Sequence, residues 1–367
     1  MTDPLVSIVI PTYRRPRLLR QALASAVGQT YKNLQIIVRD NASGDETPDV
    51  VRSFDDARIE FLQSMVTGIA YENSSEALKK VRGEYSMILS DDDILGANYV
   101  ETLVRFLQQD KTILAAYGAT SVIDENGAVT RKCMPDGTYT LQCKELIRAW
   151  CGATLPLSSG INYVCPTSFL KDVLIKVRRF PEGHHSDNAV FLAASIQGKV
   201  LFTNQCMFYY RDWGRNSWKR WACRIQAQGD RELLKFLDNQ MRSDRNVGLP
   251  QTEWSGLRAA LRSMLAQTYF AFFLQVRLDK ANFSEMVYNA IQTYGMDSTM
   301  TFLRQHQHEL QKKESNLLKL ATVTANAYFA IKWRMIKLWH SVILPIALFP
   351  RNCWRRLYRA IKLGKKD

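Results

Sequence analysis

Three consecutive carboxylates, Asp91, Asp92 and Asp93, follow an apolar run, Tyr85 to Leu89, that reads as a short buried strand preceded by Gly83. Adjacent acids repel one another unless a cation neutralises them. At the carboxyl end of a strand in an open α/β sheet, where ligands bind, they suit a hard divalent cation such as Mg²⁺ or Mn²⁺ that bridges to phosphate. Taken alone, the same residues also read as an acidic turn capping a helix that starts near Ala97. A second polar cluster lies in Phe180-Pro-Glu-Gly-His-His-Ser-Asp-Asn188, a loop opening a helix from Asn188 to Gln197. Its adjacent histidines, His184 and His185, are not expected to share an ion, because loop neighbours rarely both reach one and no Cys/His partner stands at finger spacing.

Positioning the three acids requires a sheet. Leu5 to Ile10 is a β-branched run that reads as a buried parallel strand, stopped by Pro11. After Thr12-Tyr-Arg-Arg-Pro16, the apolar residues Leu18, Leu19, Ala22, Leu23, Ala26 and Val27 recur with helical spacing, and a strand follows over Leu34 to Val38. The polar loop Arg39 to Thr47 carries Asp45, placed to cap the next helix. A strand over Arg58 to Gln63, Thr67-Gly68, and a helix from Ala70 to Val81 ended by Gly83 complete the run-up to the acids. Strands alternating with helices imply a parallel sheet covered on both faces.

Four stretches in this order carry a resemblance. Val6-Ser-Ile-Val-Ile-Pro-Thr-Tyr13, Asp40-Asn-Ala-Ser-Gly-Asp45, Gly68 with Asn73, and Gly83-Glu-Tyr followed by Leu89-Ser-Asp-Asp-Asp93 are similar to the ordered motifs of the family 2 glycosyltransferases. The resemblance covers residues 4 to 212. It implies an α/β fold of the GT-A type: a Rossmann-like mixed sheet flanked by helices, followed here by a mostly helical C-terminal region. It implies that Pro11, Thr12 and Tyr13 shape a nucleotide pocket with Asn73, that Asp40 accepts a hydrogen bond from the base, commonly uracil, and that Asp91 lies nearer the ribose. Asp92 or Asp93 becomes the metal ligand, the cofactor being Mn²⁺ or Mg²⁺. Ser90 and Asn41 stand where the family often has acids, which leaves the division of labour among the carboxylates and the identity of the base open.

Transfer of a sugar from a nucleoside diphosphate needs a stabilised pyrophosphate leaving group and a base for the acceptor hydroxyl. By the resemblance that base is Asp187, although Ser186 or Asp187 also reads as the helix N-cap. Glu182, His184 and His185 are expected to border the acceptor. Tyr209-Tyr-Arg-Asp-Trp-Gly-Arg-Asn-Ser217 resembles the family's closing segment, where Arg211 and Arg215 can clamp the diphosphate by bidentate bonding or form a basic surface loop. Val122 to Val129 carries the Asn-Gly of a hairpin, and Lys199 to Asn204 and Cys206 to Arg211 read as two final strands.

The 367 residues, 46% hydrophobic, suffice for two or more domains. A formal net charge of +14 implies anionic partners. Seven cysteines without a C-x-x-C pair argue for a reducing compartment; neither a signal peptide before the first strand nor a transmembrane span is expected. We divide the chain into a GT-A catalytic domain (1–217), a helical region (218–327) and a basic tail (328–367). The helical region has apolar stripes over Leu257, Ala260, Leu261, Met264, Leu265, Thr268 and Phe272, and over Phe283, Met286, Val287 and Ile291. The tail holds ten Lys or Arg against one acid, interleaved with Trp333, Trp339 and Trp354. Such a helix suits an anionic membrane surface or packs on a protein; no nucleic-acid module accompanies the charge.

The reading is thus an inverting, metal-dependent glycosyltransferase, cytoplasmic and peripheral on the inner face of the membrane. Its donor is a nucleotide-diphospho-sugar, a UDP-sugar first, and its acceptor a glycan or glycolipid. Two rivals remain: a non-catalytic GT-A-like scaffold, and a sugar nucleotidyltransferase, which should show a glycine- and Arg/Lys-rich phosphate loop where Pro11-Thr-Tyr13 stands.

Overall fold

Val6–Thr12 forms strand β1, buried on both faces as a continuous run of branched side chains requires. Helix α1 (Pro16–Val27), strand β2 (Leu34–Asp40), helix α2 (Thr47–Arg52), strand β3 (Ile59–Gln63), helix α3 (Ala70–Leu78) and strand β4 (Tyr85–Ile88) follow. Then come β5 (Ile94–Leu95), α4 (Tyr99–Gln109), β6 (Ile113–Ile123), β7 (Val129–Cys133), β8 (Thr138–Leu141), α5 (Cys143–Cys151) and β9 (Tyr163–Pro166). Helices α6 (Thr167–Val177) and α7 (Ser186–Gln197), strand β10 (Lys199–Arg211) and helices α8 (Cys223–Ser243), α9 (Gln251–Phe273), α10 (Lys280–Tyr294) and α11 (Met296–Gln305) complete the order. This is a computed structural model that describes residues 3–155, 162–178, 180–213, 223–243, 249–273 and 280–306. Arg215, most of the Leu155 to Tyr163 loop and the whole basic tail lie outside them.

The chain forms two compact units, residues 1–217 with 232–260, and 218–231 with 261–367. In the first, the described strands make one mixed sheet of order β3-β2-β1-β4-β9-β6-β10-β5, with β7 on β6 and β8 on β10. Strands β1 to β4 are parallel, and β9 runs antiparallel between β4 and β6. Helices α1, α2 and α4 cover one face, joining Leu19, Leu23, Val50, Val51, Leu103 and Leu107 to Val6, Ile8 and Ile10. Helix α3 packs on β1 and β2, and α6 on β4 and β9.

Pro11 does not stop β1: the strand runs through it to Thr12, paired with Asp40. The Val9 carbonyl accepts from the Leu89 amide at 2.8 Å, so Pro11, two residues on, faces the same edge. There β4 pairing has already ended at Ile88, and the missing N–H costs no ladder bond. Gly83 has a comparably strict reason. A Cβ there would lie 2.6 Å from the Tyr85 carbonyl, 2.7 Å from the Ser7 nitrogen and 2.8 Å from the Leu5 carbonyl.

The two final strands read from the sequence are one, β10, whose pairing with β6 jumps from Phe202↔Tyr117 to Met207↔Ala119. The surplus residues make an irregularity at the place where the sequence pattern breaks. The stripe on α9 also differs: Trp254, Leu257, Leu261, Leu265 and Tyr269 are buried, whereas Ala260 and Thr268 are exposed. Met286 and Val287 of α10 are buried as expected.

Residues 232–260 add to the first unit. Phe180 meets Phe236 edge-on at 6.1 Å, Gln197 Nε2 donates to Gln240 at 2.7 Å, and Lys144 pairs with Glu253 at 2.5 Å. In the second unit Phe270 stacks on Phe302 at 4.1 Å, and the Tyr269 hydroxyl donates to the Met286 carbonyl at 2.9 Å. The Tyr294 hydroxyl donates to buried Asp230. No described helix is long and apolar enough to cross a membrane.

Candidate active site

The carboxyl ends of β1, β2 and β4 meet at the acidic turn. Parallel pairing aligns Thr12 with Asp40 and Val9 with Ile88, and the Asp93 amide donates to the Ser90 carbonyl at 3.2 Å, closing the turn. The three acids have different surroundings. Asp91 is 7% exposed; its Oδ2 accepts from the Thr12 hydroxyl at 2.8 Å and the Tyr13 amide at 3.4 Å, and its Oδ1 accepts from Arg15 Nη1 at 3.2 Å. Burial raises its pKa, against the opposing pull of Arg15.

Asp93 is 1% exposed and its Oδ1 accepts from the Arg211 amide at 2.8 Å. Burial first, then the charge of Asp92, pushes its pKa well up. Asp92 is the turn's least buried acid. Its Oδ2 accepts from Arg15 Nη1 at 2.8 Å and Trp213 Nε1 at 2.9 Å, while no described residue donates to Oδ1. Of the two metal ligands expected, only Asp92 has an open oxygen. Asp93 is instead a buried brace, because its carboxylate is sealed beneath β10.

Arg211 also departs from expectation. It is 2% exposed, and its Nε donates to the Asp92 carbonyl at 2.9 Å. Nη1 donates to the Asp124 and Glu125 carbonyls at 2.9 and 3.1 Å, and Nη2 to Gln21 at 2.8 Å. A guanidinium committed to these acceptors does not clamp a diphosphate; it ties the acidic turn, the β6–β7 turn and α1 together.

Asp40 is fully buried. Its Oδ1 accepts from the Ser43 amide at 3.1 Å and from the Ser43 hydroxyl, and its Oδ2 from Gln63 at 3.1 Å. Rather than presenting a bare carboxylate to a base, it shapes the loop after β2, where Ala42 and Gly44 take left-handed φ of 58° and 66°. Asn73 is likewise a brace: its Nδ2 donates to the Arg39 carbonyl at 3.0 Å and its Oδ1 accepts from Arg39 Nε at 3.3 Å. Asn41 grips Gly68 with bonds of 2.8 and 2.9 Å. Asp45 accepts from the Thr47 amide at 3.0 Å, at the start of α2. Pro11 is half-buried, and Tyr13, 38% exposed, is open at the rim with the Arg14 guanidinium 5.1 Å from its ring centroid.

Asp187 lies in the first turn of α7, half-buried. That helix starts at Ser186, two residues earlier than its apolar pattern indicates, with left-handed His185 as N-cap and the Ser186 hydroxyl donating to the Gly183 carbonyl at 2.7 Å. Neither Ser186 nor Asp187 is the cap. Left-handed φ at Glu182, Gly183 and His185 folds the loop tightly; the His184 and His185 rings lie 3.9 Å apart, and Glu182 is exposed. Burial pushes the Tyr210 hydroxyl up to about 12, and the charges of Asp93, Asp212, Asp92 and Asp187 add to it. Asp187 thus shares its electrostatic surroundings with the acidic turn, 94 residues earlier by number.

Two contributors were not singled out from the sequence: Arg15 and Trp213, both on Asp92. Arg15 had a signal, a cation directly after the first strand in a chain with three clustered acids. Trp213 had none beyond its place in the closing segment.

Residues 7–173 match the model of the family described as Glycosyl transferase family 2. A Campylobacter jejuni protein, the GalNAc(5)-diNAcBac-PP-undecaprenol beta-1,3-glucosyltransferase, is 26% identical over 280 residues, covering 74% of this chain and 86% of that one. The Escherichia coli UDP-Glc:alpha-D-GlcNAc-diphosphoundecaprenol beta-1,3-glucosyltransferase WfgD is 29% identical over 205 residues, covering 56% of this chain and 75% of its own. An uncharacterized glycosyltransferase of Rickettsia felis is 33% identical over 165 residues, 44% of this chain but 26% of that protein. The chain spans about a quarter of the length of that relative and of a second one from Rickettsia bellii, at 26% and 24%. Among solved structures, S. aureus TarS 1-349 superimposes with a TM-score of 0.62 at 15% identity, over 90% of this chain and 93% of that one. Residues 7–173 are thus similar to the family 2 glycosyltransferases, and the fold is of the GT-A type.

Proposed function

We propose that this protein transfers a sugar from a nucleoside diphosphate to a hydroxyl of a lipid-linked glycan, with inversion at the anomeric carbon. The observation that carries the reading is the acidic turn at the carboxyl end of β4, where Asp92 keeps one carboxylate oxygen without a described donor, inside the region that matches the family. Asp187 takes the proton of the acceptor hydroxyl as its oxygen attacks the anomeric carbon. The bond to the diphosphate breaks, and the nucleotide leaves with its electron pair.

Asp92 fits a divalent cation, because one carboxylate oxygen with diphosphate oxygens and water is how Mg²⁺ and Mn²⁺ are commonly held. When bound, the ion neutralises charge on the leaving diphosphate. Tyr13 forms the open edge of the nucleotide pocket, while Asp40 and Asn73 hold the loops that shape it. UDP is the first candidate for the nucleotide and an undecaprenol-diphosphate glycan for the acceptor, since both appear in the name of the E. coli relative. The tail, with ten cations against one acid, is assigned to an anionic membrane surface, where such an acceptor resides.

The test is transfer of labelled sugar from a panel of UDP-, GDP-, dTDP- and CMP-sugars to undecaprenol-diphosphate-linked glycans, with wild type and Asp187→Ala. Transfer from one donor that needs Asp187 supports the reading. Activity fully retained in Asp187→Ala would remove that residue as the base, and binding without any transfer would favour a scaffold.

A further inference from the structure

We propose that Arg15 is a resident counter-cation of the acidic turn whose charge opposes divalent metal at the open Asp92 oxygen until a nucleoside diphosphate draws the guanidinium away. Metal and nucleotide binding are then coupled through this one side chain. The inference deepens the glycosyltransferase reading and rests on it.

The geometry comes from three separate elements. Arg15 Nη1 bridges Asp91 Oδ1 at 3.2 Å and Asp92 Oδ2 at 2.8 Å, and Trp213, just beyond β10, donates to the same Asp92 oxygen at 2.9 Å. The exposures are uneven. The Asp91 and Asp92 side chains are 9% and 15% exposed, whereas that of Arg15 is 48% exposed. Asp91 keeps two other donors, Thr12 and Tyr13, if Arg15 leaves; among the described residues Asp92 keeps only Trp213. Asp92 is therefore the carboxylate whose charge depends on Arg15.

The energetic argument concerns competition. Two neighbouring carboxylates need a positive charge, and Arg15 supplies one. A metal ion arriving alone at the open Oδ1 meets a cation already held at 2.8 Å from the other oxygen of the same carboxylate, and the two positive charges oppose one another. A diphosphate changes the balance, because its oxygens offer the planar guanidinium paired acceptors in place of a single Nη1 contact. Arg15 sits at the N-cap of α1, where its carbonyl accepts from the Leu18 and Leu19 amides but its side chain makes no capping bond, so movement of the side chain alone leaves the helix start intact. By linkage, whatever nucleotide does for metal affinity, metal does equally for nucleotide affinity.

The experiment measures Mn²⁺ binding to the full chain from the electron paramagnetic resonance signal of free Mn²⁺, with and without UDP or GDP. Wild type is compared with Arg15→Ala, Arg15→Lys, Asp92→Asn and, as a control for net charge, Arg17→Ala, since Arg17 is exposed on the same helix while the ion pairs of Asp91 and Asp92 are with Arg15. Arg15→Ala is expected to bind Mn²⁺ without nucleotide about fivefold more tightly, the scale of a partly exposed ion pair. Its gain in Mn²⁺ affinity on adding nucleotide should be smaller than in wild type. Arg15→Lys should stay near wild type and Arg17→Ala unchanged.

Equal Mn²⁺ affinity in Arg15→Ala and wild type, with Asp92→Asn still abolishing the nucleotide-dependent binding, overturns the inference and leaves the glycosyltransferase reading standing. The same gain in Arg17→Ala overturns it too, by tracing the effect to overall charge. Mn²⁺ binding unaffected by Asp92→Asn in every condition overturns both.

Discussion

The Arg211 amide donates to Asp93 across 2.8 Å, joining the last strand of the sheet to the acidic turn 118 residues earlier. The same residue's side chain donates to the carbonyls of Asp92, Asp124 and Glu125 and to Gln21. Arg211→Ala removes a buried guanidinium that donates to three partly buried carbonyls and to Gln21, and is expected to destabilise the protein by about 2 kcal/mol. Arg211→Lys should recover only part of this, lacking the planar fork. Chemical denaturation measures the loss. A variant as stable as wild type would mean that the bonds contribute little.

Gly83→Ala should destabilise by about 2–3 kcal/mol, the scale of overpacking, because the new Cβ meets backbone atoms of Leu5, Ser7 and Tyr85 within 2.8 Å. Those atoms belong to β4 and to the start of β1 and cannot rotate aside. Urea unfolding is the readout, and an unchanged midpoint would show that the strands separate cheaply.

Hydrogen bonds from Thr112, then from Lys199, hold the Asp110 carboxyl at about 2, below the ordinary aspartate value of about 3.9. A depressed acid stabilises the folded state above its unfolded pKa, and that stability is lost as pH falls through the folded one. The window is therefore about pH 4 down to 2. Because the Asp110 side chain is 37% exposed, solvent screening limits the contribution to about 0.5 kcal/mol. Asp110→Asn should lower stability at pH 7 by that amount and flatten the curve between pH 4 and 2. A steeper acid limb in the variant would contradict the assignment.

Removing residues 328–367 is expected to abolish co-sedimentation with anionic liposomes and to leave nucleotide binding intact. Its positive charge should also make wild-type binding fall with added salt. Salt-insensitive sedimentation, or none with the full chain, would redirect the tail to a protein partner.

Much of the fold was legible along the chain because β1 to β4 and their helices are local, repeating units. Branched runs such as Val6 to Ile10 are buried on both faces, and the stripe from Leu19 to Ala26 is the buried side of α1. The acids after β4 were equally legible, since three adjacent carboxylates after an apolar strand are costly without a reason. What the linear order could not decide was which acid stays open. Asp91, Asp92 and Asp93 have the same chemistry and consecutive numbers; Thr12, Arg211 and Trp213, brought in by other strands, distinguish them.

The roles of Arg15 and Arg211 make the same point in opposite directions. By type, either arginine suits a diphosphate, and the closing segment pointed to Arg211. Tertiary packing buries Arg211 against carbonyls and leaves Arg15 nearly half exposed on the carboxylates. The sequence by itself determined the alternation of strands and helices, the place of the acids and their kinship with a family, because these rest on local hydrophobic pattern and ordered motifs. Only the tertiary structure decided which charges are buried, which are paired and which can move, because burial and pairing depend on neighbours that lie 76 to 121 positions away.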